Sequence, residues 1–474
     1  MVSDVLRQIP KTDVVLALPE VAAACDRYTR AQVRGVVQAV LDDARESVLK
    51  RGRTDVPNLD EAGAEVLRRL RDQGVWSLRR VVNATGVVLH TNLGRAPLGD
   101  EVAAHVAEIA RGYSNLEYDL EAGARGSRFT HVERLACELT GAEAAMVVNN
   151  NAGAVFLMLN TLCAGSEVAV SRGELVEIGG SFRVPEVMAR SGTSLVEVGT
   201  TNKTHAFDYR EVVGREQMSA LLKVHTSNFR VTGFVEEVEP TELVSIAHEA
   251  GVYALYDIGS ALPLPAEALG LTEGHTARSA LRDGVDVACF SGDKLLGGAQ
   301  AGILVGRRDL IERIKKNQLA RILRIDKLSL AALEMTLAYC VDQRTALERI
   351  PTLGMLAMTR KECRQRATAL ARRLAGAAPG LSSEVLDTVD EAGGGSLPGV
   401  ELPGAAVSVR VRGMEVSDLE RALRAWRTPI ICRVHEGAVL VSPRTLLAGD
   451  EDVLLEALVS TARAHAAGGE ATHS

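Results

Sequence analysis

Short apolar runs alternate with helical patterns throughout residues 129–306, and this alternation limits the chain to few folds. Each run is bounded by glycine, charged or small polar residues and has the length of a buried strand. The segments between the runs are long enough to cross over to a parallel neighbour. The pattern is typical of a mostly parallel, doubly wound α/β sheet. The predicted strands span residues 144–148, 167–171, 194–198, 221–225, 252–257, 285–290 and 301–305.

Polar residues follow several of these strands at the point where each strand ends. Ligands of doubly wound sheets bind outside the carboxyl ends of the strands, so we expect a site where these residues meet. The polar groups lie at residues 149–153, 174, 225–228, 257–260 and 291–294.

Residues 291–298, Ser-Gly-Asp-Lys-Leu-Leu-Gly-Gly, place Lys294 between two predicted strands. Burial disfavours the charged ammonium, so an amine held inside the sheet edge would have a lowered pKa. An amine that loses its proton near neutral pH can form a Schiff base, which is what pyridoxal phosphate (PLP) requires of its lysine. These eight residues alone are equally compatible with an exposed hairpin lysine.

Two further groups fit a PLP site. Residues 149–153, Asn-Asn-Asn-Ala-Gly, join a predicted strand to a predicted helix, and such a turn offers free backbone amides and a helix dipole to a phosphate. Asp257 ends an apolar run, and a buried carboxylate there needs a cation or a proton donor. The protonated pyridine nitrogen of PLP would be one, and a structural salt bridge is the alternative.

Three arginines are candidates for anion binding. Arg95 lies on a Gly-Arg turn closed by Pro97, where its guanidinium fork can face an oxyanion or form a salt bridge. Arg321 and Arg324 are three residues apart in a helix predicted from residue 307. We expect them to share one helical face, where they could clamp a single dianion.

Charge and cysteine usage exclude several classes of protein. The formal net charge of −7 argues against indiscriminate nucleic-acid binding, although it leaves local basic faces open. The seven cysteines are scattered and include no CxxC pair, which indicates neither a disulfide framework nor a zinc site, and no metal is predicted. Because no apolar run is long enough for a membrane span and the N-terminus lacks the apolar block of a signal peptide, we expect a cytoplasmic protein.

The pattern predicts three domains and a tail. Residues 1–75 are predicted to form a small helical module with a mild positive bias, and residues 76–345 a large domain that holds the sheet. Residues 346–466 predict a compact α+β domain, followed by a small, polar tail, 467–474, that we expect to be disordered. The predicted strands of the α+β domain span residues 406–411, 430–434 and 438–441, and its last helix spans residues 451–466.

Taken together, these residues resemble the bacterial selenocysteine synthases, the L-seryl-tRNA(Sec) selenium transferases, which are fold-type-I PLP enzymes. Matches run from the N-terminal module to the small domain, and a set of motifs carries the resemblance. These motifs lie at residues 83–86 and 90–98, 113–120, 149–155, 225–229 and 291–298.

The resemblance implies roles for individual residues. Lys294 would be the Schiff-base lysine, Asp257 would face the ring nitrogen of PLP, Asn228 would lie near the pyridine hydroxyl and His225 could stack on the ring. The residues implied near the cofactor phosphate are Asn150, Asn151, Ala152, Gly153 and Ser291. The group implied to receive selenophosphate consists of Asp293, Arg95, Arg321 and Arg324.

The resemblance also implies a reaction and partners. Seryl-tRNA(Sec) would be converted to selenocysteinyl-tRNA(Sec) by β-elimination of water to a dehydroalanyl intermediate, followed by addition of selenium from selenophosphate at Cβ. The N-terminal module would recognise the tRNA, and the subunits would assemble as a pentamer of dimers. A phosphate-bearing donor suits several arginines, whereas a substrate carboxylate needs only one.

Three other functions remain compatible with parts of the pattern. A PLP-dependent ammonia lyase or β-eliminase acting on a free amino or sugar acid would need a small-domain arginine for the substrate carboxylate, and Arg433 or Arg444 could serve. A non-enzymatic relic that only binds RNA or a partner would be expected to lack Lys294 or Asp257, and both are present. A PLP-free α/β binding protein would leave the arginines and the asparagine loop unexplained.

Overall fold

The computed structural model describes residues 5–52, 55–73, 77–179 and 182–470. Contacts divide the chain into two units, Met1–Arg80 and Val81–Ser474. The first unit is helical and has a hydrophobic core of its own, in which Val33, Val37 and Leu41 of its longest helix are fully buried. The helices of this unit span Thr12–Leu16, Pro19–Ala23, Arg30–Arg51 and Leu59–Gln73.

The second unit is built on a seven-stranded sheet. In chain order its strands are β1 (Ala144–Val148), β2 (Glu167–Ser171), β3 (Ser194–Val198), β4 (Met218–Val224), β5 (Tyr253–Gly259), β6 (Val287–Ser291) and β7 (Gly302–Gly306). Their order across the sheet is β1-β7-β6-β5-β4-β2-β3. β7 runs antiparallel to both of its neighbours, β1 and β6, and the other strand pairs of this sheet are parallel, so the predicted mostly parallel sheet is confirmed.

Helices cover both faces of this sheet because successive strand residues point to opposite sides. In β1, Ala145 and Val147 lie in one hydrophobic cluster, whereas Ala144, Met146 and Val148 lie in the other. This is the doubly wound arrangement. The helices span Asp100–Arg111, Thr130–Thr140, Asn151–Cys163, Val184–Arg190, Ala206–Val213, Pro240–Glu249, Ala277–Arg282, Arg308–Lys316, Leu319–Ile322, Lys327–Cys340, Gln343–Arg349 and Pro351–Ala357.

The C-terminal region forms a separate four-stranded antiparallel sheet with its own core. Its strands are β8 (Leu381–Glu391), β9 (Glu401–Val411), β10 (Arg433–His435) and β11 (Ala438–Val441), in the order β8-β9-β11-β10. Helices Arg360–Leu374, Val416–Arg424 and Asp450–Glu470 accompany it. The early segment Val82–Asn83 pairs in parallel with Ile430–Ile431 and shares this core, although it was predicted in the large domain. The predicted boundary at residue 345 stays a prediction.

Several predicted elements differ from the structure. The helix predicted from residue 307 ends at Lys316 because Asn317 turns the chain and anchors it through its amide to Asn160 and Thr161. The predicted strand 430–434 is divided between two sheets, and β8 was not predicted at all. The last helix extends to Glu470, four residues into the predicted tail, and residues 471–474 lie outside the described residues. None of the helices in the described chain combines the length and apolar character needed to span a membrane.

Candidate active site

Lys294 lies on the hairpin that joins β6 to β7, beyond the carboxyl end of β6. Main-chain hydrogen bonds close this hairpin: Gly292 N–H donates to Ala301 O and Gly297 N–H donates to Lys294 O, both at 2.9 Å. Lys294 is only 5% exposed. The interpretation as an exposed hairpin lysine is therefore wrong, and burial lowers the pKa of the Lys294 amine, as the chemistry of a Schiff-base lysine requires.

Two serines that were assigned no role in the sequence tie the lysine hairpin to the rest of the unit. The amide of Leu295 donates to Ser260 Oγ at 3.4 Å, and Ser260 Oγ lies 2.7 Å from Ser396 Oγ. Both serines are buried. Ser260 is the last polar residue of the group that begins at Asp257, which is the signal that could have identified it.

Asp257 is buried in β5 and has an unusual set of partners. Its Oδ1 accepts hydrogen bonds from Asn151 Nδ2 at 2.8 Å and from Gly259 N–H at 3.0 Å. No lysine or arginine of the described chain forms an ion pair with it, so the structural salt bridge that was the alternative is absent there. Burial raises the pKa of Asp257, while the Asn151 hydrogen bond and the nearby Lys294 charge oppose that rise.

The asparagine loop begins a helix, as predicted. Asn150 caps the helix Asn151–Cys163 by accepting a hydrogen bond from Gly153 N–H at 2.8 Å. The amides of Asn151 and Ala152 belong to the first turn, which has no intrahelical acceptors. Gly302 of β7 packs so closely that a Cβ there would lie 2.2 Å from the Asn150 carbonyl oxygen. The Asn151 side chain is directed to Asp257, so it is the loop backbone that is left for an anion.

Ser291 and His225 both lie at strand ends near Lys294. Ser291 ends β6 and is buried. His225 follows β4, and its backbone N–H donates to Asp257 O at 2.9 Å. Burial, helped by the neighbouring His275 ring 4.4 Å away, lowers the pKa of His225 to about 3, so its imidazole is neutral at physiological pH.

Asn228 is exposed, and its amide Nδ2 donates to Glu177 O at 2.8 Å. To take its predicted place near the pyridine hydroxyl, the Asn228 side chain would have to give up its hydrogen bond to Glu177 O and bind the cofactor instead. The role assigned to Asn228 stays a prediction.

Arg95 and Asp293 form an ion pair beside the lysine. Arg95 Nη1 donates to Asp293 Oδ2 at 2.7 Å, and the two side chains are 27% and 13% exposed. Arg95 has a left-handed backbone, with φ of 63°, directly after Gly94, which is also left-handed. The predicted turn therefore brings the Arg95 guanidinium to Asp293, the residue before Lys294 in the same chain. Asp293 holds the guanidinium in this position.

Arg321 and Arg324 do not share a helical face, so that prediction was wrong. The short helix Leu319–Ile322 ends before Arg324, and Arg324 forms an antiparallel bridge with Val148 at the end of β1. Asn149 N–H donates to Leu323 O at 2.7 Å. Both arginine side chains are exposed. The arginine segment is thus paired directly with the strand end that leads into the asparagine loop.

The polar groups around Lys294 fit PLP. Three of the buried polar atoms that lack a hydrogen-bond partner among the described residues belong to the segments that follow β1 and β4: Asn151 Oδ1, His225 Nδ1 and Ser227 Oγ. Such orphaned groups are costly unless a ligand or water satisfies them. A buried amine at Lys294, a buried carboxylate without a counter-cation at Asp257 and a capped helix N-terminus correspond to the aldehyde, the ring nitrogen and the phosphate of PLP.

The arginines that a free-acid substrate would need are already engaged. Arg444 is 1% exposed and donates to Asp390 Oδ2 and to the carbonyl oxygens of Met355, Met358 and Pro403, at 2.7 to 3.0 Å. Arg433 Nη2 donates to Asp390 Oδ1 at 3.0 Å. Both arginines therefore bind the same buried carboxylate, and Arg444 is itself buried, which disfavours the ammonia lyase or β-eliminase alternative.

Fold and site together define a fold-type-I PLP-dependent enzyme. A solved structure of a D-glucosaminate-6-phosphate ammonia-lyase has this fold, with a TM-score of 0.57 and 21% sequence identity over 84% of this chain and 99% of that one. The chain belongs to the L-seryl-tRNA selenium transferase family, whose model matches residues 81–447. A second model, of the selenocysteine synthase N terminal, matches residues 6–45.

Relatives match over nearly the whole chain. The L-seryl-tRNA(Sec) selenium transferase of Geobacter sulfurreducens is 48% identical over 456 residues, which cover 96% of this chain and 98% of that protein. The enzyme of the same name from Moorella thermoacetica is 47% identical over 469 residues, 98% of this chain and 99% of that protein. The predicted family, fold type, cofactor and enzyme class are therefore confirmed, and the roles of individual site residues stay predictions.

Proposed function

We propose that this enzyme converts seryl-tRNA(Sec) to selenocysteinyl-tRNA(Sec) and that selenophosphate supplies the selenium. The observation that carries the proposal is the position of Lys294. Burial lowers the pKa of its amine, the Asp257 carboxylate raises it, and the Arg95 guanidinium lowers it. The two relatives above bear the name of this activity. Arg433 and Arg444 both donate hydrogen bonds to Asp390, which disfavours a role for them in binding the carboxylate of a free-acid substrate.

The proposed roles divide the site into a cofactor half and a donor half. Lys294 would hold PLP, the backbone of residues 150–153 and Ser291 would hold its phosphate, and Asp257 would face its ring nitrogen. His225, which is neutral, would stack on the ring and Asn228 would lie near the ring hydroxyl. When bound, PLP supplies an electron sink that acidifies the α-proton of the seryl group and allows its β-hydroxyl to leave.

Lys294 would move the proton in this reaction. Because the pKa of Lys294 is lowered, its amine is neutral more readily than that of a surface lysine, and it would be able to accept the α-proton of the seryl group. Loss of the β-hydroxyl as water leaves Cβ open to the selenium of selenophosphate. Selenium would then add at Cβ while a proton returns to Cα, and hydrolysis of the selenium–phosphorus bond by water would release phosphate.

The donor half would consist of Arg95, Arg321 and Arg324, with Asp293 as the residue that orients Arg95. Asp293 engages one end of the guanidinium through Nη1, and the remaining donors of the fork can face an oxyanion. Arg321 and Arg324 are exposed and lie on the segment that pairs with the end of β1. Several arginines suit the charge of a phosphate-bearing donor.

The proposal includes the partners of the whole enzyme. The helical unit of residues 1–80 would recognise the tRNA, and the enzyme would act in the cytoplasm, where a substrate carried on tRNA would be used in translation. The subunits would form a pentamer of dimers. This assembly is what the resemblance implies, and the exposed side chains of Tyr113, Leu120 and Phe234 are apolar surface that a neighbouring subunit would be able to cover.

Spectral titration of the PLP-loaded enzyme tests the substrate. We expect the visible absorbance to change on addition of seryl-tRNA(Sec) and to stay unchanged with free serine at the same concentration. Lys294→Ala should lack the absorbance of the cofactor–lysine linkage, and the same titration on that variant serves as the control. A response to free serine and other free amino acids, with none to seryl-tRNA(Sec), would establish the free-acid enzyme instead.

A further inference from the structure

The Asp257 carboxylate is held from one side by a residue 106 positions earlier in the chain. Asn151 Nδ2 donates to Asp257 Oδ1 at 2.8 Å. The Gly259 amide donates to the same oxygen at 3.0 Å, and Cys289 Sγ lies 3.8 Å from it. Because each of these donors meets Oδ1, the other oxygen, Oδ2, is left for a different partner.

The Asn151 amide can have only one sensible orientation here. Its nitrogen faces a carboxylate oxygen, and turning the amide would place two acceptors against each other. Its own oxygen, Oδ1, is buried and has no partner within the described residues. Asn151 is also the first residue of its helix, directly after the Asn150 cap, so the backbone that carries it is fixed.

We propose that Asn151 is a positioning residue, which fixes the Asp257 carboxylate so that Oδ2 faces the ring nitrogen of PLP, and that its side chain does not bind the cofactor phosphate. A carboxylate aimed at this nitrogen keeps a proton on it and strengthens the electron sink. A carboxylate free to rotate would lose part of that effect. The inference rests on the proposed role of Asp257, and it moves the side chain of Asn151, though not its backbone, from the phosphate to the opposite end of the cofactor.

A cofactor analogue separates the two ends of PLP. In this analogue a carbon atom replaces the ring nitrogen, while the aldehyde, hydroxyl and phosphate are unchanged. Absorbance titrations of the cofactor-free protein give the dissociation constants of PLP and of the analogue. We expect Asn151→Ala to weaken PLP binding about 10-fold, as for a lost hydrogen bond to a charged group, and to leave the analogue bound as tightly as by the wild type.

Two further variants control for shape and for damage to the helix. Asn151→Asp keeps the shape of the side chain but replaces the donor with an acceptor, so it should weaken PLP binding at least as much as alanine does. Asn160 lies on the same helix, donates to Ser191 O at 3.0 Å and accepts from Asn317. Asn160→Ala removes these structural hydrogen bonds and should bind both cofactors as the wild type does.

The outcomes distinguish failure of the inference from failure of the proposed site. If Asn151→Ala weakens the binding of PLP and of the analogue equally, the Asn151 side chain acts at the phosphate end. If it weakens the binding of neither, Asn151 has no positioning role. Either result overturns the inference. Asp257→Asn should weaken PLP binding and spare the analogue. If Asp257→Asn instead weakens both cofactors equally, the proposed role of Asp257 fails, and the inference about Asn151 fails with it.

Discussion

At the scale of single residues, the site is organised by opposed charges around one buried amine. Desolvation is the largest influence on Lys294 and lowers its pKa. Asp257 raises this pKa and Arg95 lowers it, while Asp293 raises it from the side of Arg95. The amine therefore lies between the Asp257 carboxylate, which is assigned to the cofactor, and the Arg95–Asp293 ion pair, which is assigned to the substrate. A change in either of these neighbours changes the pKa of the amine.

Substitution of either neighbour should move the pKa of Lys294 in a known direction. Arg95→Gln removes a positive charge, so the ammonium becomes easier to keep and the pKa of Lys294 should rise. Asp257→Asn removes the stabilising negative charge, so the pKa should fall further. The pH dependence of reductive methylation of Lys294 in the cofactor-free protein, followed by mass spectrometry, measures both shifts.

The exposed Lys316 provides an internal control for this experiment, because its labelling profile should be the same in all three proteins. Shifts of the Lys294 midpoint in the same direction for both variants would contradict the opposed-charge arrangement.

At the scale of elements, the lysine hairpin is shaped by what packs under it. Gly297 has a left-handed backbone, with φ of 78°, and a Cβ added there would lie 2.4 Å from Ile350 Cγ2. Ile350 is buried and β-branched, so its side chain cannot easily move aside. The Gly297 amide also donates to the Lys294 carbonyl oxygen. Packing at Gly297 and the position of Lys294 are thus linked through one turn.

Gly297→Ala should therefore weaken cofactor binding as well as stability. Gly251 is the matched control: its φ is 73°, but nothing lies within 4 Å of an added Cβ. Gly251→Ala should lower the free energy of unfolding by only about 1 kcal/mol, from backbone strain, and leave PLP affinity unchanged. Gly297→Ala should destabilise the protein more and reduce PLP affinity. Denaturant unfolding and cofactor titration check both, and equal PLP affinity in the two variants would disprove the linkage.

Elements with strong local patterns were predictable, and those defined by distant partners were not. β1, β2 and β3 have the predicted bounds because compact apolar runs are bounded by polar residues. β8 was missed because it is an edge strand whose residues are mostly half-buried or exposed, and it carries few large apolar side chains.

The site followed the same rule. The lysine hairpin and the asparagine loop are local motifs, and both were predicted. The bridge of Arg324 to Val148 and the hydrogen bond of Asn151 to Asp257 join residues more than one hundred positions apart, and nothing in the local sequence indicates either. The pairing of Arg95 with Asp293 likewise spans 198 positions.

At the scale of the whole molecule, the chain has two units with separate cores, and the proposed function assigns a different part to each. The core of the unit of residues 1–80 consists of its own helices, and the residues assigned to the cofactor site all belong to the unit of residues 81–474. The resemblance assigned tRNA recognition to this unit. Cofactor binding and tRNA binding should therefore be separable by two different changes to the chain.

A chain that begins at Val81 should keep PLP binding and lose affinity for tRNA(Sec), because the sheet, the lysine hairpin and the small-domain core all lie in residues 81–474. Full-length Lys294→Ala should show the reverse, with tRNA(Sec) bound at wild-type affinity and the cofactor linkage lost. Filter binding or fluorescence anisotropy measures the affinity for tRNA(Sec), and visible absorbance measures the cofactor linkage.

If the truncated chain binds tRNA(Sec) as tightly as the full-length enzyme does, the recognition surface lies in the second unit. If the truncated chain loses PLP binding as well, the two functions are not divided between the units.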